Sequence, residues 1–79
     1  MNLKWVTQGT HEEAQIIIGG LMSAKLVVAR DGSWALVGSQ GRKPGAKAAS
    51  MGHAKLAALE ALRQTLQTAI GDIDAAMRV

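Results

Sequence analysis

Short alternating or continuous apolar segments, separated by glycine-containing stretches, make up the first half of the chain, which is the pattern of β-strands. Residues 3–8 alternate over a short stretch and predict a strand or an extended lead-in. Segments 24–30 and 33–38 give a stronger signal, because Asp31-Gly32 separates two apolar runs. An Asp-Gly pair supplies the positive φ angles that a tight hairpin turn needs. The sequence therefore predicts an antiparallel hairpin around this pair.

Segment 11–22 is compatible with two structures. Thr10 and Glu13 fit a helix capping box, and apolar residues then follow at helical spacing. Three successive isoleucines followed by Gly19-Gly20 favour a strand instead. A cap stabilises a helix by about 1 kcal/mol, whereas each interior glycine costs about 1 kcal/mol relative to alanine. We favour a strand from Glu13 to Gly19, with a helix as the alternative.

The second half of the chain has helical periodicity. The pattern predicts a helix from about Ala46 to Ile70, and Gly71 is expected to end it. Gly52 weakens the first turns, so the helix is expected to begin as late as Ser50.

This predicted helix carries two apolar stripes of different size. The larger residues, spaced at 100° intervals along one stripe, are Leu59, Leu62, Leu66 and Ile70. The second stripe, which we call the small stripe, consists of residues with small side chains: Ala54, Ala57, Ala58, Ala61, Thr65 and Thr68. We predict that the leucine stripe covers the sheet and shares the core with Val28. The small stripe allows close approach of another helix, and its possible interface residues are Ala54, Ala57 and Ala61.

These elements predict a single α+β domain over residues 1–79. Its expected architecture is a three- or four-stranded antiparallel β-meander followed by one long C-terminal helix packed on one face. Leu26 and Val28 lie on one face of the predicted hairpin, and Val27 and Ala29 lie on the other. One helix cannot cover two apolar faces, and the second apolar stripe of the helix also adds unburied surface in a monomer. We therefore expect a homodimer.

Positive charge is concentrated in one segment. The net charge is +3, and the stretch between Gly32 and Leu59 contains four cations and no acid. These four predicted partner-binding residues are Arg42, Lys43, Lys47 and Lys55. The rest of the chain has five cations and six acids. A local excess of positive charge fits an acidic partner, either nucleic acid or an acidic protein surface. The alternative is a solvated, mobile connection whose charges aid solubility.

No residue spacing in the sequence favours catalysis, a cofactor or a metal. The loop Gly38–Gly45 lacks the spacing of a Walker phosphate loop, and Pro44 removes an amide donor. His11 has Gln15 rather than a histidine at the i+4 position, and His53 has no acid or cysteine nearby. We therefore expect a non-enzymatic protein with no cofactor and no metal.

The chain is expected to work in the cytoplasm of a bacterial host cell. It contains no cysteine, so neither a disulfide nor a thiolate-bound metal supports the fold. The longest apolar runs are far shorter than the roughly 20 residues that span a bilayer, and residues 1–8 do not resemble a signal peptide. No membrane association is expected.

Two resemblances to known groups of proteins narrow the expected function. The chain resembles small phage and prophage proteins that have a short meander followed by an alanine-rich helix. The residues that carry this likeness, in order, are Trp5, Gly19-Gly20, Val28, Asp31-Gly32, Trp34, Ala54-Lys55 and Ala57-Ala58. Within that group, segments 28–32 and 44–46 are similar to some small type I anti-CRISPR inhibitors. That resemblance implies a protein that binds the RNA-guided surveillance complex and blocks DNA recognition or nuclease recruitment.

The second resemblance covers only the C-terminal half. Segment 54–62 is similar to the last helix of double-stranded RNA-binding domains, whose first lysines grip phosphates. Gly52-His53 stands where that family has a pair of lysines.

The leading hypothesis is a non-enzymatic, protein-binding inhibitor from a phage or mobile element, an anti-CRISPR that blocks a type I Cascade effector complex. Its basic character excludes DNA mimicry, which needs an acidic surface. The four basic residues would instead occupy an acidic patch on a CRISPR effector subunit. The alternative is a small nucleic-acid-binding protein that uses the same 42–55 segment on phosphates.

Overall fold

The computed structural model describes residues 3–18, 20, 22–38 and 41–78. Its elements, in chain order, are β1 (Val6–Gln8), β2 (His11–Ile18), β3 (Met22–Ala29), β4 (Trp34–Gly38), β5 (Gly41–Pro44) and α1 (Met51–Met77). Every strand pairs antiparallel with the next, so the five strands form a meander in chain order. The predicted α+β class and the meander followed by one long helix are confirmed. The described sheet has five strands rather than three or four.

The ambiguous segment 11–22 contains a strand, so the strand interpretation is confirmed and the helix alternative is wrong. The strand begins at His11, two residues before the predicted Glu13, and the predicted end at Gly19 lies outside the described residues. β2 pairs with β3 along its whole length, from His11 opposite Ala29 to Ile18 opposite Met22. This pairing satisfies backbone N–H and C=O groups along the whole segment, whereas a capping box satisfies only those at one end of a helix. The β-branched isoleucines also suit a pleated surface better than a helix.

The hairpin between β3 and β4 is confirmed, but its turn differs from the predicted one. The Gly32 N–H donates to the Ala29 carbonyl at 3.1 Å, and the Ala29 N–H donates to the Ser33 carbonyl at 2.8 Å. Gly32 has a φ of +93°, whereas Asp31 does not take a positive φ. These bonds describe a three-residue loop with a bulge, which needs only one left-handed residue.

The predicted glycine-rich loop contains the edge strand β5. Gly38 pairs with Gly41, and the pairing continues to Pro44 opposite Ala35. The strand was missed because the residues at its two ends, Gly41 and Pro44, are typical of loops. At an edge, however, a proline need not donate to the ladder.

Helix α1 begins next to Ser50, as the weakening effect of Gly52 predicted, and ends later than expected. Ser50 is the N-cap, and its Oγ accepts a hydrogen bond from the His53 N–H at 3.2 Å. The prediction that Gly71 ends the helix is wrong, because Gly71 does not take the left-handed conformation of a terminating glycine. The helix continues to Met77 and is about 40 Å long at 1.5 Å per residue. The eight-residue strands extend only about 26 Å, so α1 projects beyond the sheet.

The core lies between α1 and the face formed mainly by β3 and β4. Leu26 and Val28 of β3 are fully buried there. The helix residues buried against them lie four apart, at Ala54, Ala58 and Leu62. Small side chains at the first two positions let the helix backbone lie close to the sheet.

The predicted leucine stripe therefore forms only part of the core. Leu62 is buried as predicted, whereas Leu59 and Leu66 are partly buried at the margin and Ile70 is 58% exposed. The helix is rotated so that alanines occupy the centre of its contact with the sheet. Hydrophobic periodicity alone does not specify this rotation.

Candidate protein-binding surfaces

The four basic residues predicted to bind a partner do not form one surface. Arg42 and Lys43 are neighbours on β5, and both are exposed. Arg42 is aligned with Val37 and Lys43 with Leu36. Successive side chains on a strand point to opposite faces, so Lys43 lies on the helix side of the sheet and Arg42 on the other.

Lys47 lies near the acidic end of the β3–β4 turn. Its Nζ is 3.9 Å from Asp31 Oδ2, and both side chains are exposed. The Ser33 backbone N–H donates to the Asp31 carboxylate at 2.9 Å. This hydrogen bond is the main reason that the pKa of Asp31 lies below its usual value, with a smaller contribution from the Lys47 charge. Part of the positive charge of Lys47 is thus offset locally.

Lys55 links the helix to the first strands. Its Nζ donates to Glu12 Oε1 at 3.2 Å and lies 4.9 Å from the centroid of the Trp5 ring. The Lys55 and Glu12 side chains are 29% and 21% exposed. A half-buried lysine that contacts both a carboxylate and an aromatic ring serves the fold and is poorly placed to bind a partner.

Trp34 fixes the connection between β5 and α1. A Cβ added to Gly45 would lie 1.9 Å from the Trp34 ring, so only glycine fits against this face. The indole Nε1–H donates to the Ala46 carbonyl at 2.8 Å. The Ala48 N–H donates to the Gly32 carbonyl at 2.9 Å. These contacts pack the basic connection against the sheet.

The sheet face opposite α1 forms a shallow depression, which we call the open face. In the part of the chain that the structure describes, no element packs over it. The depression has a volume of about 470 Å³. Its lining residues are Thr10, His11, Glu13, Lys25, Val27, Ala29, Val37 and Arg42.

The open face has an apolar centre and a charged rim. Val27 and Val37 are partly exposed at the centre. On the rim, Glu13 accepts a hydrogen bond from His11 Nε2 at 3.1 Å and lies 3.6 Å from Lys25 Nζ. Arg42 makes no salt bridge with any described residue. An apolar centre with a polar rim is the usual composition of a protein interface.

The three alanines proposed as an interface differ in accessibility. Ala54 is fully buried against the sheet, so it is not available to another helix. Ala57 and Ala61 are partly exposed, and Ala61 also contacts the core. The reason is again the rotation of α1, which uses part of the small stripe for the sheet.

The histidines lie in local hydrogen-bonded pairs. Ser50 Oγ is 2.8 Å from His53 Nδ1, at the exposed N-terminus of α1. The same hydroxyl caps the helix, so the pair has a structural role. No group of three or more His, Asp or Glu residues within the described ranges could hold a metal ion.

Two features of the surface were not predicted from the sequence. His11, Glu13 and Lys25 were not assigned to a common site, although alternation along two paired strands would have placed them on one face. The exposed apolar end of α1 was not predicted, because Gly71 was expected to end the helix.

Comparison with known protein families, curated proteins and solved structures finds no match for this chain. None of the helical segments that the structure describes has the length and hydropathy needed to cross a membrane.

Proposed function

We propose that this chain is a non-enzymatic, protein-binding domain and that the open face is its working surface. The proposal rests on one observation: among the described elements, a helix covers one face of the sheet and nothing covers the other. One face lies beneath α1, whereas the other leaves Val27 and Val37 partly exposed beside Arg42, which makes no salt bridge within the described part of the chain. Burial of these apolar side chains would favour association with a partner.

An acidic protein surface suits this face better than a phosphate backbone. Val27 and Val37 at its centre can be buried by apolar groups of a protein partner, whereas a phosphate backbone offers no apolar group to cover them. The described open face also carries no tryptophan on which a base could stack, because Trp5 contacts Lys55 and Trp34 contacts Gly45. Stacking on aromatic side chains supplies much of the affinity for single-stranded nucleic acid.

The more specific proposal concerns the target. The resemblance to small anti-CRISPR inhibitors suggests a type I CRISPR effector complex, which the protein would block by occupying an acidic patch on a Cascade subunit. The chain's net charge of +3 supports an acidic partner. A target of this kind would place the protein in the cytoplasm of a bacterial cell. Inhibition would follow from occlusion, so no catalytic residue is required.

Two neighbouring residues provide a matched test. Arg42→Glu changes the rim of the open face, whereas Lys43→Glu makes the same charge change on the other side of β5. We expect Arg42→Glu to weaken binding to a purified type I effector complex at least tenfold, mainly through the association rate. Lys43→Glu should have a much smaller effect. Equal losses in the two variants, measured by surface plasmon resonance, would contradict the assignment to the open face.

The nucleic-acid alternative has a separate test. Binding through phosphates weakens steeply as salt rises, with a log–log slope of about −0.9 per contact on duplex DNA. We expect no shifted band with duplex DNA or RNA at moderate salt. A shifted band that is lost in both Arg42→Glu and Lys43→Glu would favour nucleic acid over a protein partner.

A further inference from the structure

The C-terminal part of α1 is amphipathic, and beyond Leu66, which packs at the margin of the core, its large apolar residues are exposed. We call residues 66–78 the overhang. Ile70 and Ile73 are each 58% exposed, and Met77 is 77% exposed. Together with Leu66 they follow a spacing of four, three and four residues, which places them within about 60° on the helix surface. Such a stripe suits packing against another helix.

Four charged residues lie along one flank of this stripe. At 100° per residue, they fall about 60–120° from Leu66 on the same side. Their order along the chain is Glu60, Arg63, Asp74 and Arg78. Glu60 and Arg63 already form an ion pair at 2.6 Å, and Asp74 and Arg78 lie one turn apart. The flank thus carries a negative–positive pair at each end.

We propose that two copies of the chain associate through antiparallel packing of residues 60–78 of α1, which include the overhang, centred near Ala69. A two-fold axis perpendicular to both helices brings the same flank of each helix together. Leu66 then lies level with Ile73 of the second copy, and the two-fold axis repeats this contact on the other side of Ala69. In the same register Arg63 faces the second copy's Asp74, and Glu60 faces its Arg78.

This charge complementarity is the reason for choosing a second copy as the occupant. In this register each acidic residue of the flank faces a basic residue of the second copy. The two-fold symmetry repeats these contacts at the other end of the interface. A parallel arrangement would place this flank against the opposite one, where Thr65 and Ala69 offer no charge to Arg63. The antiparallel arrangement also keeps the two sheets at opposite ends of the helix pair.

The expected dimer is weak and independent of the open face. Residues 60–78 overlap over about 27 Å at 1.5 Å per residue. A single helix pair of this length buries less than the roughly 1,600 Å² of a standard interface. Association is therefore expected in the micromolar range, and its failure would leave the proposed function of the open face unaffected.

Sedimentation equilibrium tests the apolar part of the contact. The mass of the wild-type chain should rise from 8.3 kDa toward twice that value as concentration increases. Ile73→Lys should abolish the rise, because it places a charge in the centre of the stripe. Leu56→Lys is the matched control, since Leu56 is 67% exposed on the same helix but lies outside the overlap. A wild-type chain that remains monomeric at millimolar concentration would overturn the proposal.

Charge reversal tests the register. Arg63→Asp and Asp74→Arg should each weaken self-association about tenfold, because each places like charges opposite one another twice. An equimolar mixture of the two variants should associate like wild type, since the mixed pair restores both attractions. Asp72→Arg makes the same charge change on the other flank and should have no effect. Unchanged self-association of both single variants, or a mixture no stronger than either alone, would overturn the antiparallel register; circular dichroism checks that each variant is folded.

Discussion

The two faces of the sheet are built from the same strands and differ in what they contact. On the helix side, Leu26 and Val28 of β3 are fully buried. On the open face, Val27 lies between them in sequence yet remains partly exposed. One face supplies the core and the other leaves apolar surface available. Adjacent residues can therefore differ completely in their contributions to stability and to binding.

The largest effect is expected from truncation on the helix side. Leu26→Ala should lower the free energy of unfolding by about 2–5 kcal/mol, because it leaves a cavity beneath α1. That loss would unfold much of a domain this small. Val27→Ala should cost about 1 kcal/mol or less, since its side chain is only partly buried. Urea denaturation measures both, and equal costs would contradict the assignment of the two faces.

The next largest effect on stability is expected in the connection between β5 and α1, which packs against Trp34. Gly45→Ala places a methyl group into the indole ring and should cost about 1–3 kcal/mol through overpacking. Gly71→Ala is the control, because nothing lies within 4 Å of its added Cβ and alanine favours the helix by about 1 kcal/mol. The melting temperature should therefore fall for Gly45→Ala and rise for Gly71→Ala. A neutral Gly45→Ala would mean that Trp34 does not hold the connection.

A smaller effect distinguishes the basic residues. Lys55→Met should cost about 1 kcal/mol, because it removes the contacts with Glu12 and Trp5. Lys43→Met should change stability by less than about 0.5 kcal/mol, as expected for an exposed side chain. If chemical denaturation shows the same cost for both, Lys55 does not link the helix to β2.

The smallest effect concerns pH. The pKa of Asp31 is lowered in the folded state, mainly by the Ser33 backbone N–H. Its contribution to stability is therefore present above the unfolded value of 3.8 and is lost as pH falls through the folded pKa. Asp31→Asn should remove this part of the acid dependence. NMR titration of the carboxyl gives the direct measurement, and a pKa above 3.8 would contradict the hydrogen-bonded turn.

Much of the fold was predictable because local patterns coincide with it. Short apolar segments bounded by glycines indicated the strands, and Asp31-Gly32 indicated the hairpin. β5 was missed because residues 38–45 have the composition of a loop. The helix was predicted, but its rotation was not, because a helical period does not show which stripe meets the sheet.

The candidate site was harder to predict because it depends on contacts distant in sequence. Clustering of Arg42 and Lys43 suggested a single patch, whereas strand alternation separates them. Lys55 meets Glu12, 43 residues away in the chain, and no local pattern indicates such a pair. Charge counted along a sequence therefore does not give the charge of a surface.

The central claim, that the open face binds a partner, is tested most directly by thiol labelling. The chain contains no cysteine, so single substitutions give clean labelling sites. Gln15→Cys lies on the open face, and Gln64→Cys lies on an exposed part of α1. On addition of a purified type I effector complex, the labelling rate of Gln15→Cys should fall at least tenfold while that of Gln64→Cys is unchanged. Protection of position 64 without protection of position 15 would contradict the account.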